Sequence, residues 1–341
     1  MELSQDISLK DYSTMHLGGN ADYFIIASSA EHLIEIVNWA QQNHIQTLMV
    51  GEGSNILWRD EGFRGLVIQN KIKGLQIEDQ ADYAILKSGS GEIWDDVVEK
   101  STELNLSGIE CLSLIPGTAG ATPVQNVGAY GQDIGSVLYE LDAYDLKNKK
   151  VVTLSPEDCQ FSYRQSIFKT EPNRFYIMSI SLKLSKQQLH PPFYKTLSDY
   201  LETEAVNDYS PQSLRDAVIA IRTKKLPNPK DYYNLGSFFG NPIINNDQVN
   251  KIRNNTKINP PVWKIDNQKS KISAAWLIEQ AGFKNYHDQN TGMATWKNQP
   301  LVLVNELARS TQDVLTFKEQ ICQKVFDMFE VQLQMEPQLL P

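Results

Sequence analysis

A segment rich in glycine and proline, residues 111–135, constrains the fold of this chain more than any other feature. It holds five glycines and two prolines, most of them within Pro116–Gly131. Glycine allows backbone to pass close to another group, and successive backbone amides can bind an anion. The side-chain amides of Gln125 and Asn126 add further hydrogen-bonding groups. We therefore predict an ordered loop packed on a ligand that carries a pyrophosphate and a planar ring; a tight structural loop is the alternative.

A second glycine turn, Gly51-Glu52-Gly53-Ser54-Asn55, follows residues 46–50, which are predicted to form a strand. A Rossmann dinucleotide fingerprint would need a third glycine where Ile56 stands and a helix after it. Residues 56–58 and 65–68 instead predict further strands. The turn can present amides to a phosphate, although most such turns only join strands.

The spacing of apolar residues elsewhere predicts a chain of mixed helices and strands. Ser28 and Glu31 form a predicted capping box at the start of a helix. Ser210 followed by Pro211 predicts the start of another helix, which continues to Arg222. Further strands are predicted over 22–27, 83–87, 137–144, 151–154, 175–184, 301–305 and 331–335, and helices over 93–104, 274–281 and 312–329. Residues 245–271, rich in asparagine and lysine, are predicted to be loops.

Size and charge narrow the class of protein. The 341 residues are enough for two or three domains, and 41% hydrophobic with 21% charged residues predict a folded chain. The 32 basic and 41 acidic side chains give a formal net charge of −9, which argues against a nucleic-acid partner or an anionic membrane surface. The N-terminus lacks an apolar leader, and no apolar run approaches the ~20 residues of a membrane span. We expect a cytoplasmic monomer that acts on small molecules.

Cysteine and histidine are too few and too scattered for a disulfide framework or a metal site. The three cysteines, Cys111, Cys159 and Cys322, lie far apart and form no Cys-x-x-Cys motif. The five histidines form no cluster with the spacing that zinc sites usually show. We therefore expect a reducing compartment and no metal.

Positive charge is concentrated at one point of this acidic chain. Arg222, Lys224, Lys225 and Lys230 lie within nine residues of one another. Such a group can bind phosphates or a nucleotide. The alternative is a solvated helix end, where cations also interact favourably with the helix dipole.

Two further motifs carry side chains suited to catalysis. Gly236–Pro242 sets the hydroxyl of Ser237 between a glycine and two aromatic residues, but it does not match the Gly-x-Ser-x-Gly motif of serine nucleophiles. We therefore interpret Ser237 as a proton carrier. Arg164 lies in Tyr163-Arg164-Gln165-Ser166, between a turn and a predicted strand, where an arginine taken alone is usually part of a surface ion pair.

These segments occur in the order and at the spacing of one family, and the chain resembles the UDP-N-acetylenolpyruvoylglucosamine reductases, which are flavoenzymes. The resemblance covers nearly the whole chain. Besides the two glycine loops it rests on Ser13-Thr14-Met15, Gly18-Gly19, Ile115-Pro116-Gly117, Tyr163-Arg164-x-Ser166, Lys225-Leu226-Pro227, Gly236-Ser237-Phe238-Phe239-x-Asn241-Pro242 and Ala274–Glu279. The segment around Tyr194 resembles the inserted tyrosine loop of one subclass.

The resemblance implies an α+β protein with a flavin-binding domain of the vanillyl-alcohol-oxidase (PCMH) type, built from two α/β subdomains, and a C-terminal α+β substrate domain. The corresponding division is 1–70 with the tail 331–341, then 71–226, then 227–330. It also implies reduction of the enolpyruvyl ether of UDP-N-acetylglucosamine to UDP-N-acetylmuramate for peptidoglycan. FAD, bound without a covalent link, would be the cofactor and NADPH the co-substrate.

The resemblance further implies roles for individual residues. Arg164 would hold the substrate carboxylate, Ser237 would donate the proton, and Glu336 would assist at the carboxylate. Substrate contacts are expected from Tyr130, Tyr194, Arg222, Lys225 and Asn241. Cofactor contacts are expected from Gly51, Gly53, Ser54, Asn55, Pro116, Gly117, Thr118, Gly120, Ala121, Gln125, Asn126, Gly128, Ala129 and Gly131.

The chain departs from the family at three places. Gly240 stands where a lysine is common, a histidine is missing near Trp296, and Pro337-Gln338 replaces valine and arginine. A shift of two positions in the tail would put Gln338 in place of the acid Glu336.

Two other functions stay open. One is an FAD-dependent sugar or alcohol oxidase of the same fold, which the Ser237 and Lys225 motifs disfavour. The other is a nucleotide-binding relative without catalytic activity, which the altered tail makes conceivable.

Overall fold

The computed structural model describes residues 2–341 and confirms the α+β class. The helices are α1 Ala30–Gln42, α2 Trp94–Glu103, α3 Ile167–Thr170, α4 Lys195–Thr203, α5 Pro211–Lys225, α6 Asn246–Thr256, α7 Ala274–Gln280 and α8 Thr311–Phe329. The strands are β1 Ser4–Ser8, β2 Asn20–Ala27, β3 Thr47–Val50, β4 Ile56–Trp58, β5 Phe63–Asn70, β6 Leu75–Asp79, β7 Tyr83–Gly89, β8 Gly128–Ala129, β9 Gln132–Asp133, β10 Leu138–Asp145, β11 Lys150–Leu154, β12 Phe175–Ser185, β13 Tyr233–Ser237, β14 Ile243–Asn245, β15 Val262–Lys264, β16 Lys269–Ile272, β17 His287–Asp288, β18 Met293–Trp296, β19 Gln299–Asn305 and β20 Gln338–Leu340.

The described residues form two compact units, each made of discontinuous segments. Unit 1 contains the segment ending at Ile7, Ala21–Glu52 and Phe63–Lys224, and unit 2 contains Ser8–Asn20, Gly53–Gly62 and the chain from Lys225 onward. The finer division into three domains stays a prediction.

The first sheet of unit 1 has the strand order β1-β2-β5-β3, with β5 parallel to β2 and β3. Helix α1 connects β2 to β3 and buries Ile36 and Val37. The predicted capping box is wrong by one residue. Ser29, not Ser28, adopts the extended N-cap backbone, and its hydroxyl accepts the amide of His32 at 3.1 Å.

The second sheet of unit 1 is antiparallel, with the order β11-β10-β12-β7-β6. Its predicted strands are confirmed. Helix α2 buries Trp94, Val97 and Val98 in the same core as Leu141 and Ile180 of the sheet. A fully buried tryptophan contributes a large apolar area, so this core anchors the loop that follows α2.

Helices α4 and α5 form a smaller core of unit 1 with Leu197, Leu214 and Val218. The predicted start of α5 is confirmed, because the Ser210 hydroxyl accepts the amide of Ser213 at 3.3 Å. The helix extends past the predicted end at Arg222 as far as its last residue, Lys225.

Unit 2 is built on the antiparallel sheet β13-β19-β18-β17, and every residue of the central strand β19 is buried. Helix α8 packs Val314 and Phe317 into the same core. At the start of α8 the Asp60 carboxylate accepts the amides of Thr311 and Gln312 at 2.7 and 3.1 Å. These bonds satisfy donors that a helix N-terminus otherwise leaves unpaired.

Two predictions in unit 2 are wrong. Residues 245–271 are not loops: they contain α6, which buries Val249 and Ile252, and two strands of the sheet β14-β16-β15. The polar composition of this segment gave no sign of a helix, because α6 needs only a few apolar residues on its narrow buried face. Residues 331–335 alternate in burial but form only an isolated bridge at Met335, and the last strand is β20, which pairs with β4.

None of the helices in residues 2–341 is both long and apolar enough to cross a bilayer. Over the same residues, no group of three or more histidine, cysteine, aspartate or glutamate side chains is arranged to hold a metal ion.

Candidate active site

A short hairpin in unit 1, β8–β9, carries Tyr130 at its turn. Tyr130 and Gly131 have φ angles of 49° and 90°, as a two-residue turn between antiparallel strands requires. The Tyr130 ring meets the ring of Tyr194 edge-on, with centroids 6.1 Å apart. The structure therefore brings together two residues that are predicted to contact the sugar nucleotide.

Arg222 lies beside the Tyr130 hydroxyl rather than in solvent. Burial raises the pKa of Tyr130, and the Arg222 guanidinium counteracts that rise. Burial likewise lowers the pKa of Arg222, which Tyr130 opposes. Nη2 of Arg222 donates to the Leu114 carbonyl at 3.3 Å, and its buried Nε has no acceptor among residues 2–341. The predicted basic cluster is thus not uniform: Arg222 is half-buried, whereas the other members, Lys224, Lys225 and Lys230, are exposed.

Arg164 donates hydrogen bonds to the backbone where the same hairpin begins. Its Nη2 donates to the Gly128 carbonyl at 3.0 Å and its Nη1 to the Asn126 carbonyl at 3.4 Å. The ring of Tyr163 lies 5.5 Å from the guanidinium carbon. A strand was predicted directly after this motif, but the short helix α3 comes first, because the chain turns at Ser166 to bury Ile167 and Phe168.

Three candidate residues of unit 1 adopt left-handed backbone although they are not glycine. They are Asn126, Tyr130 and Arg164, with φ angles of 44°, 49° and 55°. Each such residue costs about 1–3 kcal/mol and persists only where surrounding contacts impose it. The hydrogen bonds around the hairpin supply those contacts.

The first glycine loop and the second approach each other closely in unit 1. A Cβ at Gly51 would lie 2.6 Å from Oγ1 of Thr118, and a Cβ at Gly120 would lie 2.4 Å from Cβ of Ser90. The amides of Gly51 and Glu52 donate to no acceptor within residues 2–341. This close-packed backbone with two available donors fits the pyrophosphate of a flavin dinucleotide.

The second glycine loop offers fewer amides than its sequence suggested. Many of its backbone N–H groups already donate to carbonyl oxygens of the protein, namely those of Ala119, Gly120, Ala121, Thr122, Val124, Asn126 and Val127. These N–H groups bond to the loop itself and to the carbonyls of Ser90 and Glu92. The contacts of this loop with a cofactor stay a prediction.

Gly53, Ser54 and Asn55 belong to unit 2. A Cβ at Gly53 would lie 2.1 Å from the Tyr12 carbonyl oxygen, and the Gly53 carbonyl accepts the amide of Thr14 at 3.2 Å. The carbonyl of Asn55 accepts the amide of Gln338 at 3.0 Å. The glycine at position 53 is therefore explained by packing within unit 2.

Ser237 and Glu336 lie on neighbouring stretches of unit 2. Ser237 is the exposed last residue of β13, and Phe238 after it is fully buried. The amide of Glu336 donates to the Phe238 carbonyl at 2.9 Å, and the amide of Gly240 donates to the Gln334 carbonyl at 3.1 Å. The predicted proton donor and the predicted acid are thus brought together by backbone pairing.

Asn241, which is predicted to contact the sugar nucleotide, also has a structural role. Its Oδ1 accepts the amide of Ala274 at 3.0 Å, at the start of α7. Only its NH₂ group remains to donate to a ligand. At Gly240, where the family commonly has lysine, a Cβ would meet open space.

Sequence reasoning missed the groups that hold these candidates in place. Asp95 accepts two hydrogen bonds from Arg215, at 2.7 and 3.1 Å, and one from the Leu114 amide at 2.5 Å. Glu110 was missed too, although a carboxylate within the apolar run Ile109–Leu112 was a signal for a buried, hydrogen-bonded acid.

Comparisons with known proteins identify the family and support the fold. A family model described as the UDP-N-acetylenolpyruvoylglucosamine reductase C-terminal domain matches residues 228–340, and one described as an FAD binding domain matches residues 21–155. A solved structure of UDP-N-acetylenolpyruvylglucosamine reductase from Thermus caldophilus covers 100% of both chains with a TM-score of 0.67 at 21% identity, which supports the fold.

Several relatives match over nearly their full length, and all carry the name UDP-N-acetylenolpyruvoylglucosamine reductase. The Neisseria gonorrhoeae protein is 38% identical over 336 residues, covering 98% of this chain and 96% of the relative. The Flavobacterium johnsoniae protein is 36% identical over 344 residues, covering 98% and 99%. The Escherichia coli K12 protein is 36% identical over 330 residues, covering 96% and 94%. On this evidence the chain belongs to the UDP-N-acetylenolpyruvoylglucosamine reductase family of FAD-dependent oxidoreductases.

Proposed function

We propose that this protein uses NADPH to reduce the enolpyruvyl ether of UDP-N-acetylglucosamine, giving UDP-N-acetylmuramate for peptidoglycan. The observation that carries the proposal is identity of 36–38% over 96–98% of the chain with relatives named for this reductase. The bound FAD would pass a hydride equivalent from NADPH to the substrate. No sequence motif for covalent attachment is present near either glycine loop, so the flavin is proposed to be bound non-covalently.

The residues of unit 1 are proposed to bind cofactor and substrate. The free amides of Gly51 and Glu52 would donate to the flavin pyrophosphate. Tyr130 and Tyr194 would contact the sugar nucleotide, and Arg164 would hold the substrate carboxylate. As the alkene is reduced, negative charge spreads into that carboxylate, and a guanidinium that stays protonated stabilises it.

The residues of unit 2 are proposed to move the proton and bind the diphosphate. Ser237 would donate a proton to the carbon beside the carboxylate, as a general acid. Glu336 would assist at the carboxylate. Lys225 and the NH₂ group of Asn241 would donate to the sugar nucleotide.

One anaerobic experiment tests the proposal. NADPH should bleach the yellow protein, and the enolpyruvyl sugar nucleotide should restore the colour with formation of UDP-N-acetylmuramate. Bleaching without reoxidation by that compound, with hydrogen peroxide formed on admitting air, would favour the oxidase alternative. Absence of bleaching would favour the binding protein without catalytic activity.

A matched measurement tests the mode of flavin binding. Precipitation with acid should leave yellow flavin in the supernatant if the bond is non-covalent. Yellow colour retained in the pellet would contradict the proposal.

A further inference from the structure

Glu110 is fully buried although it carries a carboxyl group. Its exposed fraction is 0%, and its neighbours Cys111 and Leu112 are buried with it. A buried carboxyl group requires hydrogen-bond partners, because removal from water otherwise costs several kcal/mol. The burial of Glu110 therefore depends on the groups to which it is hydrogen-bonded.

The partners of Glu110 connect it to the candidate hairpin. Its Oε2 accepts the amide of Gly108 at 2.6 Å and the side-chain amide of Gln132 at 3.0 Å. Oε1 is buried and has no partner among residues 2–341. Gln132 returns a second bond, because its Oε1 accepts the Cys111 amide at 2.7 Å. Gln132 is thus bound to the 108–111 segment by both ends of its side-chain amide.

Gln132 is the first residue of β9, directly after the turn that carries Tyr130. The hairpin has only two residues in each strand, Gly128 paired with Asp133 and Ala129 with Gln132. Hairpins this short are marginally stable alone, so contacts from outside must fix their position. The bonds of Gln132 to Glu110 and to the Cys111 amide provide such contacts, because both partners lie outside the hairpin.

The same hairpin positions two candidate site residues, Tyr130 and Arg164. Its turn holds Tyr130 beside Tyr194 and Arg222, and its Gly128 carbonyl receives the hydrogen bond from Arg164. A displacement of the hairpin would move the tyrosine and the guanidinium together. Positional errors near 1 Å can cost about 10²-fold in rate.

We propose that Glu110 and Gln132 are positioning residues, which hold the β8–β9 hairpin so that Tyr130 and Arg164 meet the sugar nucleotide. This inference rests on the proposed function of those two residues. Glu110 is not a catalytic residue, because it is fully buried and bonded to backbone and to Gln132. The bond between the two side chains requires an acceptor oxygen on Glu110 and a donor NH₂ group on Gln132.

Three variants test that requirement. Glu110→Ala removes the acceptor, and Gln132→Glu sets two carboxyl groups against each other. Glu110→Gln is the conservative variant, because its side-chain oxygen can still accept both the Gly108 amide and the Gln132 side-chain amide. Glu103→Ala, at the exposed end of α2, is the control.

Hydrogen exchange followed by mass spectrometry gives a result that does not depend on the reaction. Amides of residues 128–135 should exchange at least ~10-fold faster in Glu110→Ala and in Gln132→Glu, with those of β10 and β12 unchanged, whereas Glu110→Gln should keep protection close to that of the wild type. Unchanged protection of the hairpin in Gln132→Glu, or a Glu110→Gln variant as unprotected as Gln132→Glu, would overturn the proposal. If Glu110→Ala does not fold, the Gln132→Glu and Glu110→Gln variants still decide the question.

Kinetics complete the test on flavin-loaded protein. Reoxidation by the enolpyruvyl sugar nucleotide should fall about 10- to 100-fold in Glu110→Ala and in Gln132→Glu at equal flavin content, and stay close to the wild-type rate in Glu110→Gln. Lost protection with an unchanged reoxidation rate would overturn the link to substrate positioning. Wild-type protein that is not reoxidised would refute the proposed function instead. The exchange measurement would still test whether Glu110 and Gln132 hold the β8–β9 hairpin.

Discussion

The amide of Glu336 donates a 2.9 Å hydrogen bond to the carbonyl of Phe238, the residue that follows Ser237. This bond explains how an acid near the end of the chain reaches the serine motif in unit 2. It is supported by the bond between Gly240 and Gln334. The two bonds and the bridge at Met335 fix the tail beside the motif without forming a regular strand.

The first prediction concerns Ser237 and Glu336. Ser237→Ala and Glu336→Gln should each leave flavin reduction by NADPH nearly intact and slow reoxidation by the sugar nucleotide by ~10²- to 10⁴-fold, the usual contribution of general acid catalysis. Stopped-flow absorbance of the two half-reactions separates these steps. Gln334→Ala is the control, because only the carbonyl of this exposed residue pairs with Gly240. Equal losses in both half-reactions would contradict the proposed role.

Substitution is a better test of the tail than truncation. Removal of the chain after Gln334 would also remove β20, which pairs with β4, and Leu339, which packs on the core of unit 2. Loss of activity would then follow from loss of folding.

The second prediction concerns Arg164. Arg164→Lys should slow reoxidation by about 10- to 100-fold, because lysine cannot reach two carbonyl oxygens and a carboxylate with one planar fork. The measurement is the rate of reoxidation at saturating sugar nucleotide. The same change at Arg64, whose side chain is 85% exposed, is the control and should have no effect. An Arg164→Lys variant with wild-type rates would show that positive charge alone suffices.

Regular elements and the family could be predicted from the sequence, because apolar periodicity and glycine motifs are local signals. The helix α5 cap at Ser210 and the strand β12 are examples. The network of Asp95, Arg215 and Leu114 could not be predicted, because it joins residues more than a hundred positions apart. Helix α6 could not be predicted for another reason. In its polar sequence only Val249 and Ile252 indicate the buried face.

The two glycine loops of the candidate site could likewise be predicted only in part from the sequence. Their composition predicted that backbone would pass close to another group, and Gly51 and Gly120 do so. Which amides remain available for a ligand depends on tertiary hydrogen bonds. The sequence therefore indicated the close packing of these loops. It did not indicate that Gly51 and Glu52 keep available donors, whereas most N–H groups of residues 119–127 bond within the protein.

The third prediction concerns Lys225. Lys225→Ala should raise the KM for the sugar nucleotide several-fold at low ionic strength, and the effect should shrink above ~0.1 M salt, where the Debye length is about 10 Å. Lys224→Ala is a matched control, since both side chains are exposed at the end of α5. Steady-state kinetics at two salt concentrations provide the test. Equal effects of the two changes would mean that the cluster acts only as a charged helix end.

The fourth prediction concerns the thiols. Burial raises the pKa of Cys159 to about 12 and that of Cys322 to about 11, and it also raises the pKa of Cys111. Because the thiolate is the reactive form, native protein at pH 8 should react with iodoacetamide far more slowly than urea-unfolded protein. Mass spectrometry of peptides gives the extent at each cysteine. Rapid labelling of Cys111 in folded protein would contradict its buried position.

The last prediction concerns the buried carboxylate of Asp145 in β10. Burial by itself raises its pKa, but hydrogen bonds from Arg174 at 3.0 Å and from the amides of Lys147 and Asn148 outweigh this, so its pKa lies below the usual value. A lowered carboxylate pKa stabilises the folded state above the unfolded pKa of about 3.9, and that stabilisation is lost as the pH falls below it.

Asp145→Asn should therefore lower the free energy of unfolding by about 1.5–3 kcal/mol at pH 7, the range for hydrogen bonds to charged groups, and by less near pH 3.5. Urea unfolding at the two pH values measures both differences. Asp22→Asn, in the exposed pair with Arg64, is the control and should change stability by less than about 1 kcal/mol. An Asp145→Asn effect of equal size at both pH values would mean that the side chain stabilises unit 1 by its shape and hydrogen bonding alone, because a charge-dependent contribution must decrease as Asp145 becomes protonated.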